Sequence, residues 1–224
     1  MRRFVKDNGL TLFFLGLFAG AVALQSVFGW HDHNNDQLRH GGEALSFGRY
    51  LVSSEFGVAL LENWQSEYLQ FTLYVLATVW LIQRGSPESK EPENAGQESD
   101  ERQKVGRHAT SRSPGWARAG GLRTGVYANS LLIVMGTIWL LSWFGQSVTG
   151  RSSYNAGLLE HRQDPISYLD YLATADFWER TMQNWQSEFL AVASMAILSV
   201  YLRQRGSPES KPVGATHEAT GMTG

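Results

Sequence analysis

The chain contains no cysteine, which excludes disulfide staples, thiolate nucleophiles and thiolate metal sites. Other familiar chemistry is missing too. There is no nucleophile with an identifiable base beside it, no glycine-rich loop to cradle phosphate, no histidine-rich helix face for haem and no two-histidine zinc motif. An enzyme is therefore disfavoured, no cofactor is expected, and nothing points to nucleic acid. An excess of either charge is also lacking: 19 Lys and Arg against 21 Asp and Glu leave a formal net charge of -2.

The mean hydropathy of -0.24 suggests a soluble protein, but it averages strongly apolar runs with a polar linker. Only local runs decide whether a chain enters a bilayer. Asn8 to Trp30 is 23 residues without a formal charge, and Thr124 to Gly150 is 27. At 1.5 Å per residue, the shorter run reaches about 34 Å against a hydrocarbon core of roughly 30 Å. Tyr68 to Gln83 and Phe189 to Leu202 are shorter uncharged runs of 16 and 14.

The sequence also repeats itself. Asn63-Trp64-Gln65-Ser66-Glu67 leads through an apolar run to Gln83-Arg84-Gly85-Ser86-Pro87-Glu88-Ser89-Lys90, and both strings return 121 residues later, at Asn184 to Glu188 and Gln204 to Lys211. The register holds elsewhere. Asn8, Gln25, Ser26, Asn34, His40, Tyr50 and Phe56 match Asn129, Gln146, Ser147, Asn155, His161, Tyr171 and Phe177. Arg2, Arg3 and an apolar run ending near Ala21-Val22-Ala23 resemble a cleavable signal peptide, but the internal counterpart of that run favours a retained membrane anchor.

These features predict an all-α fold, a four-transmembrane-helix bundle built from two parallel helical-hairpin repeats. The first repeat is 1-90, with spans at about 8-30 and 60-84; the second is 122-211, with spans at about 127-150 and 181-205. Residues 91-121 are rich in Glu, Ser, Gly, Arg and Pro and read as a disordered cytoplasmic linker, and 212-224 as a disordered tail. Ser53 and Thr174 read as N-caps of the second and fourth long helices. Gly85 with Pro87, and Gly206 with Pro208, read as the points where those helices stop.

Fourteen of the 19 Lys and Arg fall on the side holding both termini and the linker, and five on the side holding the two loops. The positive-inside rule then puts the N- and C-termini in the cytoplasm. Two hairpins inserted with the same orientation imply a pseudo-twofold axis along the membrane normal.

The Arg-Arg-Phe-Val-Lys-Asp-Asn-Gly-Leu start, the Asn-Trp-Gln-Ser-Glu string and the Gln-Arg-Gly-Ser-Pro-Glu-Ser-Lys string together resemble a family of bacterial integral membrane proteins known only as a domain of unknown function. The resemblance covers all but the linker. It implies a bacterial cytoplasmic (inner) membrane protein and transfers no activity and no functional residue.

Span arithmetic places the polar side chains. Glu67 is 17 residues before Arg84, about 25 Å of helix, which puts it near the outer boundary. Glu188 repeats that spacing before Arg205, and Gln25 and Gln146 each lie 17 residues past Asn8 and Asn129. Glu67, Glu188, Gln25 and Gln146 are thus expected to share one intramembrane layer, with Asn63 and Asn184 one turn further out. Such a layer is either a structural clasp, each interhelical bond worth ~0.6 kcal/mol, or a cation or proton path in which paired carboxylates share a proton.

Trp64 and Trp185 are expected as interfacial aromatics. His31 and His33 are weak metal-ligand candidates, since the second copy has Ser152 and Tyr154 in their places. His40 and His161 are paired by the repeat and could respond to pH. Gly16 and Gly20 form a local helix-packing pattern.

The leading functional expectation is a non-enzymatic structural or partner-binding role in the cell envelope, with the lipid bilayer as solvent and a homo-oligomer or a membrane-protein partner left open. The alternatives are a cation- or proton-linked transport or channel module using the Glu pair, and an outer-loop metal-binding protein.

Overall fold

The computed structural model describes residues 2-224. Those residues form ten α-helices and, among them, no strand: α1 (Arg2–Asp7), α2 (Gly9–Arg39), α3 (Phe47–Leu51), α4 (Ser54–Ala77), α5 (Asp100–Gln103), α6 (Gly115–Ala119), α7 (Gly121–Ala128), α8 (Ser130–Glu160), α9 (Tyr168–Leu172) and α10 (Ala175–Tyr201). Two of them, α2 and α8, are 31 residues long and apolar enough to cross a membrane, with peak window hydropathies of 2.0 and 1.6.

The two uncharged runs do not begin their helices cleanly. Asn8 and Asn129 interrupt α1 from α2 and α7 from α8, and each side-chain amide donates to the carbonyl four residues back, Phe4 O at 2.9 Å and Gly125 O at 2.8 Å. A short amide that bonds its own backbone competes with the helical ladder, so the break falls at the same repeat position twice.

The expected N-caps are present. The Ser53 hydroxyl accepts from the Phe56 N–H at 3.2 Å, and that of Thr174 from the Phe177 N–H at 3.3 Å, satisfying one free donor at the start of α4 and of α10. The expected helix ends need correction. α4 stops at Ala77, although turn-type bonds continue to Leu81, and α10 stops at Tyr201. Gly85 and Gly206 are both left-handed, at φ +86° and +81°, but they shape the loops that follow rather than closing the helices. At the end of α10 a guanidinium supplies the stop. Arg203 Nη1 donates to the carbonyls of Val200 at 3.1 Å and Leu202 at 2.8 Å, groups that lack a partner within the helix.

The chain divides into two compact units. The first comprises Met1–Leu60 and Gly145–Tyr168. Its aromatic core is Tyr50, 4 % exposed, against Phe56 at a centroid separation of 5.5 Å. Each loop in it is fixed by one asparagine bonded twice. The Asn34 amide donates to Leu45 O at 3.0 Å and its Oδ1 accepts from Leu45 N–H at 2.8 Å; Asn155 does the same to Ile166 at 3.1 and 3.0 Å. Gly57 lets α4 approach Thr149 of α8 more closely than a Cβ would allow.

The second unit comprises Leu61–Phe144 and Leu169–Gly224. Its buried apolar residues include Leu69, Tyr171, Phe177 and Val200. Gly136 of α8 faces Thr72 of α4, where an added Cβ would meet the threonine methyl at 3.7 Å. Where composition suggests a linker without fixed structure, the chain has α5, α6 and single turns of 3-10 helix at Pro92–Asn94 and Gly106–His108. α5 shows why so short a helix forms: Ser99 caps it by accepting from Arg102 N–H, and Asp100 and Glu101 complement the positive end of its dipole. The tail is also placed, by polar contacts described below.

Candidate functional site

In the second unit, α4 and α10 carry the two copies of Asn-Trp-Gln-Ser-Glu, and the bond between the strings is made by residues beside the glutamates. Gln65 is completely buried. Its Nε2 donates to Glu62 O at 3.1 Å, one turn back, and its Oε1 accepts from the Trp185 indole N–H at 2.8 Å. Trp185 thus serves as an interhelical donor where an interfacial anchor is expected.

One turn back along α10, toward its start, lies an ionic chain. Arg180 pairs with Glu62 at 3.6 Å and with Asp176 at 3.2 Å, and the Tyr171 hydroxyl donates to Asp176 at 3.1 Å. Burial, then the Asp176 carboxylate beside it, pushes the Tyr171 phenol well above its ordinary range, so it acts as a fixed donor. Thr181, also fully buried, satisfies its hydroxyl on Phe177 O at 2.8 Å. Trp143 of α8 closes the cluster: its ring stacks on Trp139 at 5.9 Å and on Phe177 at 6.1 Å, and meets Trp185 at 5.8 Å. The indole N–H groups of Trp139 and Trp143 are buried without an acceptor in this structure.

The expected polar side chains divide between the units. In the second, Glu67 is exposed and Glu188 is half-buried. Asn63 is exposed, Trp64 half-buried, and Asn184 donates to Arg180 O at 2.9 Å along its own helix. In the first unit, Gln25 is half-buried and Gln146 is 1 % exposed, with neither amide atom bonded. His31 is exposed and packs on Trp30; His33 stacks against Tyr50 at 5.7 Å. Among the described residues no three His, Cys, Asp or Glu side chains form a group able to hold a metal. His40 and His161 each face the carbonyl four residues back, at 3.0 and 2.8 Å.

Members of this cluster that escaped the sequence reading include Gln65, Glu62, Asp176, Arg180, Thr181 and Trp143. Gln65 stood inside the repeated string and was passed over because its neighbour Glu67 carries a charge. Glu62 and Arg180 have no such signal, because a shift of 121 carries them onto Gln183 and Ala59.

A family described as Domain of unknown function (DUF6766) matches residues 1–222. No curated protein and no solved structure matches.

Proposed function

The chain belongs to that family, whose description carries no activity, and on this footing we propose that it is a four-span protein of the bacterial cytoplasmic membrane that acts by packing and partner contact, without catalysis. The observation that carries the reading is the surface of α2. Its 18-residue apolar window has a hydropathy of 2.0 and is 6 % buried, and Phe13, Phe14, Leu17 and Phe18 all lie open. Such a surface is unfavourable in water at about 25 cal/mol per Å² of apolar area and is at rest in hydrocarbon.

α4 and α10, at 24 and 27 residues, are also long enough to span, and Phe71, Leu73, Leu190, Ile197 and Leu198 are exposed along them. Support for two like hairpins comes from bonds that recur 121 residues apart. Asn34 to Leu45 matches Asn155 to Ile166. Gln83 N–H to Ser89 Oγ, at 3.0 Å, matches Gln204 N–H to Ser210 Oγ, at 2.9 Å. On this reading the Trp185–Gln65 bond and the Arg180 pairs clasp the outer ends of the second and fourth spans.

The return of Glu67 as Glu188 at the same place in the repeat favours one other reading, a cation or proton path. Reconstitution in liposomes separates the two. The structural reading expects no proton or monovalent-cation flux, and no change on Glu67→Gln with Glu188→Gln. Flux abolished by that double change would establish the path instead. Topology is tested separately: single cysteines placed in the cysteine-free chain should react with an impermeant thiol reagent from outside at Asn35 and Ser152, and only after permeabilisation at Ser99 and Thr216.

A further inference from the structure

The two Gln-Arg-Gly-Ser-Pro-Glu-Ser-Lys loops are alike in backbone but differ in what lies on them. In both, the final lysine folds back onto the segment that follows. Lys90 Nζ donates to Gly96 O at 2.9 Å, six residues on, and Lys211 Nζ to His217 O at 2.8 Å, again six residues on. Lys211 goes further, reaching Thr216 O at 3.1 Å and Ala219 O at 3.2 Å, so its three ammonium protons all have carbonyl acceptors while the side chain is 1 % exposed. Arg203 adds a fourth hold on the same segment, Nη2 to Ala215 O at 3.1 Å.

The far end of this segment crosses the first loop. Gly85 N–H donates to Thr220 Oγ1 at 2.8 Å, and Gly221 N–H to Ser86 O at 3.0 Å. The His217 carbonyl sits where a Cβ on Gly85 would be; around the equivalent Gly206 there is open space. Thr220 and Gly221 also form one wall of a polar cavity of about 370 Å³ whose other sides include Glu88, Lys90, Glu98 and Arg102.

We propose that residues 212-221 are a releasable strap that supplies one wall of this open cavity, with Lys211 as its pin. Apart from the exposed His217 ring against Tyr201, at a centroid separation of 5.5 Å, the strap is held by polar bonds. No residue from Pro212 to Gly221 is buried, and Val213 is 56 % exposed, so releasing it uncovers little apolar surface. Nor is the pin at ease: burial, together with the Arg203 guanidinium, pulls the Lys211 pKa below its ordinary value, so the charge is kept in place only by its carbonyls. A segment tied at both ends to charged or polar groups, with a single exposed ring contact between them, opens locally before the helices around it do. Release removes that wall and leaves a site whose remaining sides offer both carboxylates and cations.

Hydrogen exchange on the full-length chain in nanodiscs tests this. Wild-type amides over 215-221 and 85-90 should be protected together. Lys211→Met should speed exchange in both segments by at least roughly tenfold, the ratio that losing one charge-assisted bond sets, while α4 and α10 keep their protection. Unchanged exchange, or loss spreading through α10, overturns the strap. A second comparison stands even if Lys211→Met does not fold. Gly85→Ala and Gly206→Ala impose the same left-handed strain, but only Gly85→Ala displaces the His217 carbonyl. Faster exchange of the strap in Gly85→Ala alone supports the proposal, and equal effects of the two overturn it.

Discussion

Trp185 donates its indole N–H to Oε1 of Gln65 at 2.8 Å, joining the two copies of one five-residue string through a side chain that is wholly buried. The glutamates that end each copy take no part in this bond. In a setting without water, the amide oxygen has no alternative donor, so the loss is felt as an unsatisfied polar group more than as one missing bond.

Trp185→Phe should therefore destabilise the protein in detergent by about 1–3 kcal/mol, the penalty of a buried unpaired acceptor. Gln65→Leu added to it should cost less than the sum of the single changes, because the stranded oxygen is gone. Additive losses in thermal unfolding would show that the pair does not interact.

Gln146 presents the opposite case. Its amide is 1 % exposed and bonded at neither atom, so burial of two polar groups goes uncompensated. Gln146→Leu keeps the volume and removes that penalty, and should raise the melting temperature, with about 1–3 kcal/mol available. A lower melting temperature would mean that the amide has a partner in the folded protein.

The loop asparagines should behave alike. Asn34→Ala and Asn155→Ala each remove one donated and one accepted bond to a single residue, at Leu45 and Ile166. Each bond is worth about 0.5–1.5 kcal/mol, so the two variants should lose similar stability in denaturant titrations. A large effect in one copy only would break the equivalence of the loops.

The Glu209 carboxyl is pushed above its ordinary value, first by its hydrogen bond with the Glu88 carboxyl and then by that group's charge. Tyr74 also donates to Glu88. A raised carboxyl binds its proton more tightly in the folded state. Its contribution is therefore full at low pH, below the ordinary carboxyl range, and is lost as pH rises through the raised value. An infrared band of protonated carboxyl should persist above that range in the wild type, disappear in Glu209→Gln, and titrate at an ordinary pH in Glu88→Gln. No change in Glu88→Gln would sink the shared-proton account.

What the sequence could yield was local or repeated. Ser53 and Thr174 cap because a hydroxyl three residues before a free N–H does so wherever it occurs, and the long apolar helices follow from uncharged runs. The helix ends were not legible. Gly206 and Pro208 look like stop signals, yet the end of α10 is set by Arg203, whose guanidinium finds carbonyls on its own helix and on the tail. Nor was the ionic chain, because Glu62 and Arg180 break the 121-residue register. The tail looked too polar to fold, and composition cannot reveal that one buried ammonium gathers three of its carbonyls.

Gly85 and Gly206 are the same letter in the same word, yet they answer to different constraints. At 206 only the dihedral angle matters, and asparagine or aspartate, which tolerate that angle, should pass in a saturation library. At 85 the angle and the room are both spoken for, and every side chain should push the His217 carbonyl away. Twin motifs need not share a mutational spectrum, and here the divergence lies at a position where the two texts are identical.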